Sequence, residues 1–174
     1  MTVCKRQPSV FWRVIFTALL LGVLGFIFSN SLQTGEASSA QSGGIVEIVQ
    51  AVARKIAPHS FIATAEGADY ERLHALVRAA AHFLEFCALG AASVWCLYSY
   101  TYKKRQAPIA LVFTFAVACA DEWLQTLTAG RGAELTDILV DCLGGVTGCV
   151  FALIAIVILG FIFKKGENYG TRKS

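Results

Sequence analysis

Asp121 and Glu122 come directly after the apolar run "APIALVFTFAVACA", where a soluble core would tolerate neither. Other ionisable residues recur at spacings that put them on shared helix faces. Arg78, His82 and Glu85 stand at i, i+4 and i+7, and Asp137 and Asp141 are four apart. Gln125 lies within one turn of both Asp121 and Glu122. This set suits proton transfer. A histidine titrates near neutral pH, and Glu85 can orient His82 or act as base. Asp121, Glu122 and Asp141 add further acid, base or metal-ligand oxygens, so Mg²⁺, Mn²⁺ or Zn²⁺ is a possible cofactor whose presence the sequence leaves open. His82 and Glu85 are an i, i+3 pair and do not match the i, i+4 histidine pair of the common zinc-protease helix. Around these candidate catalytic groups, Gln33, Arg78, Gln125, Arg131 and Asp137 are candidate binding residues, with the two arginines suited to phosphate as well as to structure.

The elements that must carry these residues are membrane helices. The chain has 174 residues, of which 56% are hydrophobic and only 16% charged, with a mean hydropathy of +0.59. Four segments, at about 10–30, 78–100, 107–127 and 137–163, are long enough to cross a hydrocarbon core as helices. The fold class expected is an all-α membrane protein: four transmembrane helices, with an external amphipathic helix between the first two. That helix is expected over Ile45 to Ile56, where Ile45, Ile48, Val49, Val52 and Ile56 recur with a 3.6-residue period. It can lie on the outer membrane surface or cap the bundle, and capping is the simpler expectation. Pro58 ends it, and a further helix runs from about Asp69 into the second span. No repeat or second module is visible, so residues 1–174 read as one domain.

Basic residues set the expected orientation. Lys5, Arg6 and Arg13 precede the first span, Lys103, Lys104 and Arg105 join the second to the third, and Lys164, Lys165, Arg172 and Lys173 follow the fourth. The positive-inside rule places these ends, and both termini, in the cytoplasm. A basic start, a short apolar core and "ASSA" also fit a cleaved leader. Its removal would invert the loop-charge logic of the remaining three helices.

With this orientation, and a rise of about 1.5 Å per residue, the polar residues of all four spans fall in the outer half of the membrane. Ser29 and Gln33 finish the first span at that level. A central acid costs roughly 2.5–3.5 kcal/mol on an insertion scale, against a return of about 0.3–0.6 for each Leu, Ile, Phe or Val. Asp121 and Glu122 therefore offset most of what their helix gains, and they need partners among Arg78, His82 and Arg131. Gly144 and Gly148, with a small face at Ala81, Ala88 and Ala92, predict close helix packing around the cluster.

The cysteines supply no framework. Cys87, Cys96, Cys119, Cys142 and Cys149 lie on predicted membrane helices and Cys4 in the N-terminal tail, so they read as small packing residues. His59 and His74 read as surface residues of the loop. Nucleic acid is not an expected partner, because membrane topology accounts for the basic residues and "GRG" lacks the strand-to-helix setting of a phosphate loop.

"FSNSLQTGEASS", "VRAAAHFLEF" and "ADEWLQTLTAGRGAELTDILVDCLGG", in order along a four-helix layout, resemble the VanZ-like family. The family is named for a membrane protein associated with low-level teicoplanin resistance in Gram-positive bacteria. Where it commonly carries lysine before the histidine of the second span, this chain has Ala79 and Ala80 after Arg78. The resemblance implies a bacterial plasma-membrane protein. Its mechanism must come from the residues, and two readings lead. One is action on an envelope lipid or lipid-linked precursor at an outer-leaflet cleft. The alternative is a non-catalytic binding or accessory protein, which recognises an envelope component or the glycopeptide antibiotic itself or supports another envelope protein. A proton-coupled transporter would need polar residues in the inner halves of the helices, where few occur. A network that only fixes helix register would be a poor use of so many buried charges. The oligomeric state is not legible.

Overall fold

A computed structural model describes residues 9–101 and 105–170, with only the backbone described for 163–170. Six helices follow one another: α1 (Val10–Ser31), α2 (Gly35–Ile56), α3 (Phe61–Thr64), α4 (Ala68–Tyr100), α5 (Gln106–Thr126) and α6 (Leu135–Gly170). No strand occurs among the described residues. Four helices are long and apolar enough to span a membrane: Val10–Ser31, Ala68–Tyr100, Gln106–Thr126 and Leu135–Ile162. The chain is thus an all-α, multi-pass membrane protein, with the first, third and fourth spans starting within two residues of the expected positions. Arg13 and Arg105 are described; Lys5, Arg6, Lys103, Lys104, Arg172 and Lys173 lie outside the described residues, as does Cys4, and the side chains of Lys164 and Lys165 are likewise not described.

α4 and α6 form the most extensive helix pair, and glycine is the reason. A Cβ on Gly144 would collide with the Phe83 backbone and one on Gly148 with that of Cys87, so the two helices approach backbone to backbone. The partner on α4 is Gly90, whose Cβ would strike Gly145. The expected small face of α4 is therefore divided. Ala92 is buried, whereas Ala88 faces outward, because α4 is rotated to bring Gly90 against α6. α1 packs on α4 and α5, and Ile27, Phe86, Leu89, Val117 and Ala118 form an apolar layer across these three helices.

At the end of the bundle where α1 starts, Trp12, Phe16 and Trp95 stack in series, and Arg13 Nε donates to the Ser99 carbonyl at 3.1 Å. Aromatic residues and a cation at this level suit a membrane–water boundary. The five described cysteines are free.

The helix between the first two spans starts ten residues before the expected Ile45. Thr34 caps it by accepting from the Ala37 N–H at 3.3 Å, and the Gly35 N–H donates to the Ala129 carbonyl at 3.0 Å. Gly35 lies so close to the Gly130 backbone that a Cβ would clash. Gly130 itself has φ +76°, which glycine adopts without strain. α2 ends before Pro58, with Arg54 and Lys55 in its last turn to complement the dipole. Its packing uses another face than the periodic apolar stripe. Val46 and Gln50 face inward, where Val46 joins Ala65 and Leu73 of the neighbouring segments. Ile48 and Ile56, on the apolar stripe expected to cover the bundle, are 66% and 78% exposed. The short α3 was not expected. Ser60 caps it, and it is followed by Gly67 at φ +56°, from which α4 starts and runs unbroken into the second span.

Candidate functional site

Five elements meet at the opposite end of the bundle from the aromatic stack. The last turn of α1 brings Asn30 and Ser31, α4 brings Arg78, His82 and Glu85, and α5 brings Asp121 and Gln125. Arg131 comes from the link between α5 and α6, and polar residues of α2 close one side. They surround a cleft of about 270 Å³. α6 contributes from behind, through Asp137 and Asp141.

Each acid has a distinct setting. Asp121, 2% exposed, accepts a hydrogen bond from Ser31 Oγ on one oxygen and from Gln125 Nε2 at 2.8 Å on the other. Glu85 accepts from Asn30 Nδ2 at 2.8 Å. Asp137 receives Arg78 Nη2 at 3.0 Å in a partly exposed ion pair. Asp141 is fully buried at 0% exposure, and its Oδ1 lies 3.4 Å from His82 Nδ1. No hydrogen bond reaches either Asp141 oxygen or His82 Nδ1. A bare carboxylate in that position needs a cation or a proton, because desolvating an ion costs roughly several kcal/mol.

Glu122 is also buried, but points elsewhere. Its Oε2 accepts the Glu134 N–H at 2.8 Å, which ties the end of α5 to the chain entering α6. Consecutive helix residues are about 100° apart, so Asp121 faces the cleft and Glu122 faces the link.

Arg131 folds back over the end of α1, donating from Nη1 to the Asn30 carbonyl at 3.0 Å and the Ser31 carbonyl at 3.5 Å. Burial, and then the positive charge of Arg78, pull its guanidinium below the ordinary arginine value, while Asp121, Glu122 and Asp137 act the other way. Two guanidinium groups that repel each other at the rim of a cleft favour an anion between them. Both also line a smaller adjoining cavity of about 140 Å³, together with His74, whose Nε2 is 3.1 Å from the Ser39 carbonyl. Gln33 reaches the cleft and approaches Asn30 Oδ1 at 3.4 Å.

Of the ten candidate residues, Gln33, Arg78, His82, Glu85, Asp121, Gln125 and Arg131 line the cleft, Asp137 and Asp141 support it, and Glu122 braces the link. The sequence reading missed Asn30 and Ser31. It took Ser29 instead, whose hydroxyl turns back to the Phe26 carbonyl at 2.8 Å. Nothing in the sequence marked them, because α1 is apolar all round and only the structure shows that Ser31 shares the buried face of Ile27. His82, Asp121 and Asp141 each offer a ligand atom, all within 4.8 Å of one another, and are the residues able to hold a metal ion among those described.

Beside the polar cleft lies an apolar groove of about 500 Å³ between α1 and α4, lined by Ala18, Gly22 and Ala88 among others. Phe26 and Glu85 line both spaces. A Cβ on Gly22 would meet nothing within 4 Å, which leaves the groove open along the membrane-spanning part of α1.

The VanZ/LLP1 family model matches residues 16–162, a range that holds all ten candidate residues. No curated protein and no solved structure matches the chain.

Proposed function

The chain belongs to the VanZ/LLP1 family, and from that premise we propose that it acts in the bacterial cell envelope on a membrane lipid or lipid-linked precursor. The cleft takes the polar head from the outer leaflet of the plasma membrane, and both termini are cytoplasmic. One observation carries this reading: the polar cleft and the apolar groove lie side by side, with Phe26 and Glu85 lining both. Such a shape matches an amphiphile, with its chain along α1 and α4 and its head among the charges. Arg78 and Arg131 supply phosphate recognition. His82, held between Asp141 and the cleft, is the group to move a proton, with Asp121 and Glu85 at the reacting end. The link to teicoplanin resistance follows if the lipid so handled belongs to the pool that glycopeptides attack.

A second reading has its own support. The carboxylates of Glu85 and Asp121 in the cleft and the exposed apolar stripe of α2 also suit a non-catalytic binder, which receives an amine in the cleft and the lipid tail of a glycopeptide on α2. Turnover separates the two. A sensitive Gram-positive host would produce the wild type, His82→Asn, Glu85→Gln, Asp121→Asn, Asp141→Asn or the groove-filling Gly22→Phe at equal membrane levels, with teicoplanin susceptibility and envelope lipids measured together. Action on a lipid predicts that the wild type protects and alters a lipid pool, and that all five variants lose both effects. Protection proportional to protein level with unchanged lipids favours the binder. Equal protection by every variant refutes both.

A further inference from the structure

We propose that His82, Asp121 and Asp141 bind one divalent transition-metal cation, of the Zn²⁺ or Mn²⁺ kind, at the floor of the cleft. The three donors come from three helices, α4, α5 and α6, yet their ligand atoms lie within 4.8 Å of one another. The independent indication is Asp141. It is completely buried; its Oδ1 faces only His82 Nδ1 at 3.4 Å, and its Oδ2 has no partner. Several neighbouring donors are turned to other groups. Arg78 is paired with Asp137, Asn30 with Glu85, and Ser31 and Gln125 with Asp121. Arg131 spends Nη1 on the carbonyls of α1. His82 and Asp141 are left facing each other, with no hydrogen bond made at either the ring nitrogen or the carboxylate.

Distances and donor chemistry agree with a metal. With bonds of about 2.0–2.1 Å, two ligands on a tetrahedral Zn²⁺ are roughly 3.3 Å apart. His82 Nδ1 and Asp141 Oδ1 already stand at 3.4 Å. The remaining donor has to close by at most about 1.5 Å, within reach of side-chain rotation. Ser31 and Gln125 hold the two oxygens of Asp121, as an outer shell holds a ligating carboxylate. One imidazole and two carboxylates favour a transition metal over Mg²⁺, which prefers an all-oxygen octahedral shell. Three protein ligands also leave a coordination position open. His82 and Asp121 line the cleft while Asp141 lies behind them, so the open position faces the cavity. With a metal bound, His82 is a ligand and Glu85 is left as the cleft's proton-transfer group; the site rests on the lipid reading above to that extent, but its binding is measured without any lipid.

The full chain, purified in detergent and stripped with EDTA, would be titrated calorimetrically with Zn²⁺, Mn²⁺ and Mg²⁺ in separate experiments. Co²⁺ would be added in parallel for its ligand-field absorption. The expected result is one equivalent of Zn²⁺ or Mn²⁺ per chain, bound at least about tenfold more tightly than Mg²⁺, with a Co²⁺ spectrum showing nitrogen and oxygen ligation. His82→Ala and Asp141→Ala should abolish this binding. Ser31→Ala should weaken it by about 10–100-fold, and Glu36→Gln, far from the cluster in sequence and exposed at the start of α2, should leave it unchanged. Far-UV circular dichroism and gel filtration check folding, and if Asp141→Ala does not fold, His82→Ala and Ser31→Ala decide. Binding well below one equivalent, a preference for Mg²⁺, or stoichiometric binding that survives in both His82→Ala and Ser31→Ala overturns the proposal. Intact metal binding without any effect on lipids or teicoplanin would sink the lipid reading alone.

Discussion

Replacing His82 and Asp141 together by apolar residues, as His82→Leu/Asp141→Val, should make the metal-free protein more stable and leave it inactive. At 3.4 Å, a charged His82–Asp141 pair gains about 5 kcal/mol of attraction at an effective dielectric of ~20. Against that stands desolvation of roughly several kcal/mol for each ion, with Asp141 at 0% exposure and no hydrogen bond at its oxygens to offset it. The pair therefore contributes little or nothing net, and apolar replacements of similar size should gain about 1–4 kcal/mol. Either single substitution leaves an uncompensated partner and should be less stable than the double, which a double-mutant cycle reads as coupling. The assay is reversible unfolding in mixed detergent–SDS micelles with EDTA present, so that metal binding does not enter, alongside teicoplanin protection in cells. A double variant destabilised by more than about 3 kcal/mol would falsify the reasoning and make the pair scaffolding, and one that still protects would take the pair out of the activity.

Gly144→Val and Gly148→Val drive side chains into the Phe83 and Cys87 backbones and should each lose about 1–3 kcal/mol or more in the same unfolding assay. Gly160→Val, at a position where a Cβ meets nothing within 4 Å, should change stability by less than about 0.5 kcal/mol, and equal losses at all three sites would refute the packing argument. Glu122→Gln keeps an acceptor for the Glu134 N–H and should preserve teicoplanin protection where Asp121→Asn abolishes it; the opposite pattern would put Glu122 at the chemistry. An environment-sensitive fluorophore on a cysteine at Ile48 should shift to the blue when the protein enters vesicles, because the exposed stripe of α2 meets lipid. An unshifted, water-like emission there would show that the stripe faces solvent.

The four spans and the level of the polar residues were legible because both depend on quantities carried within one segment: apolar length, and a rise of about 1.5 Å per residue. The i, i+4 spacings of Arg78 with His82 and of Asp137 with Asp141, and the close approach at Gly144 and Gly148, are read in the same way. What the sequence left open was how far each helix is rotated about its own axis. That rotation turned Asn30 and Ser31 inward, put Gly90 rather than Ala88 against α6, and made Asp121 rather than Glu122 face the cleft. It also set His82 against Asp141 of another helix, while Glu85, its neighbour on α4, took Asn30. For α2, periodicity marked an apolar stripe but not its destination, which depended on Gly35 docking at Gly130 and on Val46 meeting Ala65 and Leu73. Helix periodicity fixes angles within a segment; the angles between segments come from glycine contacts and interhelical hydrogen bonds, and only the tertiary structure decides them.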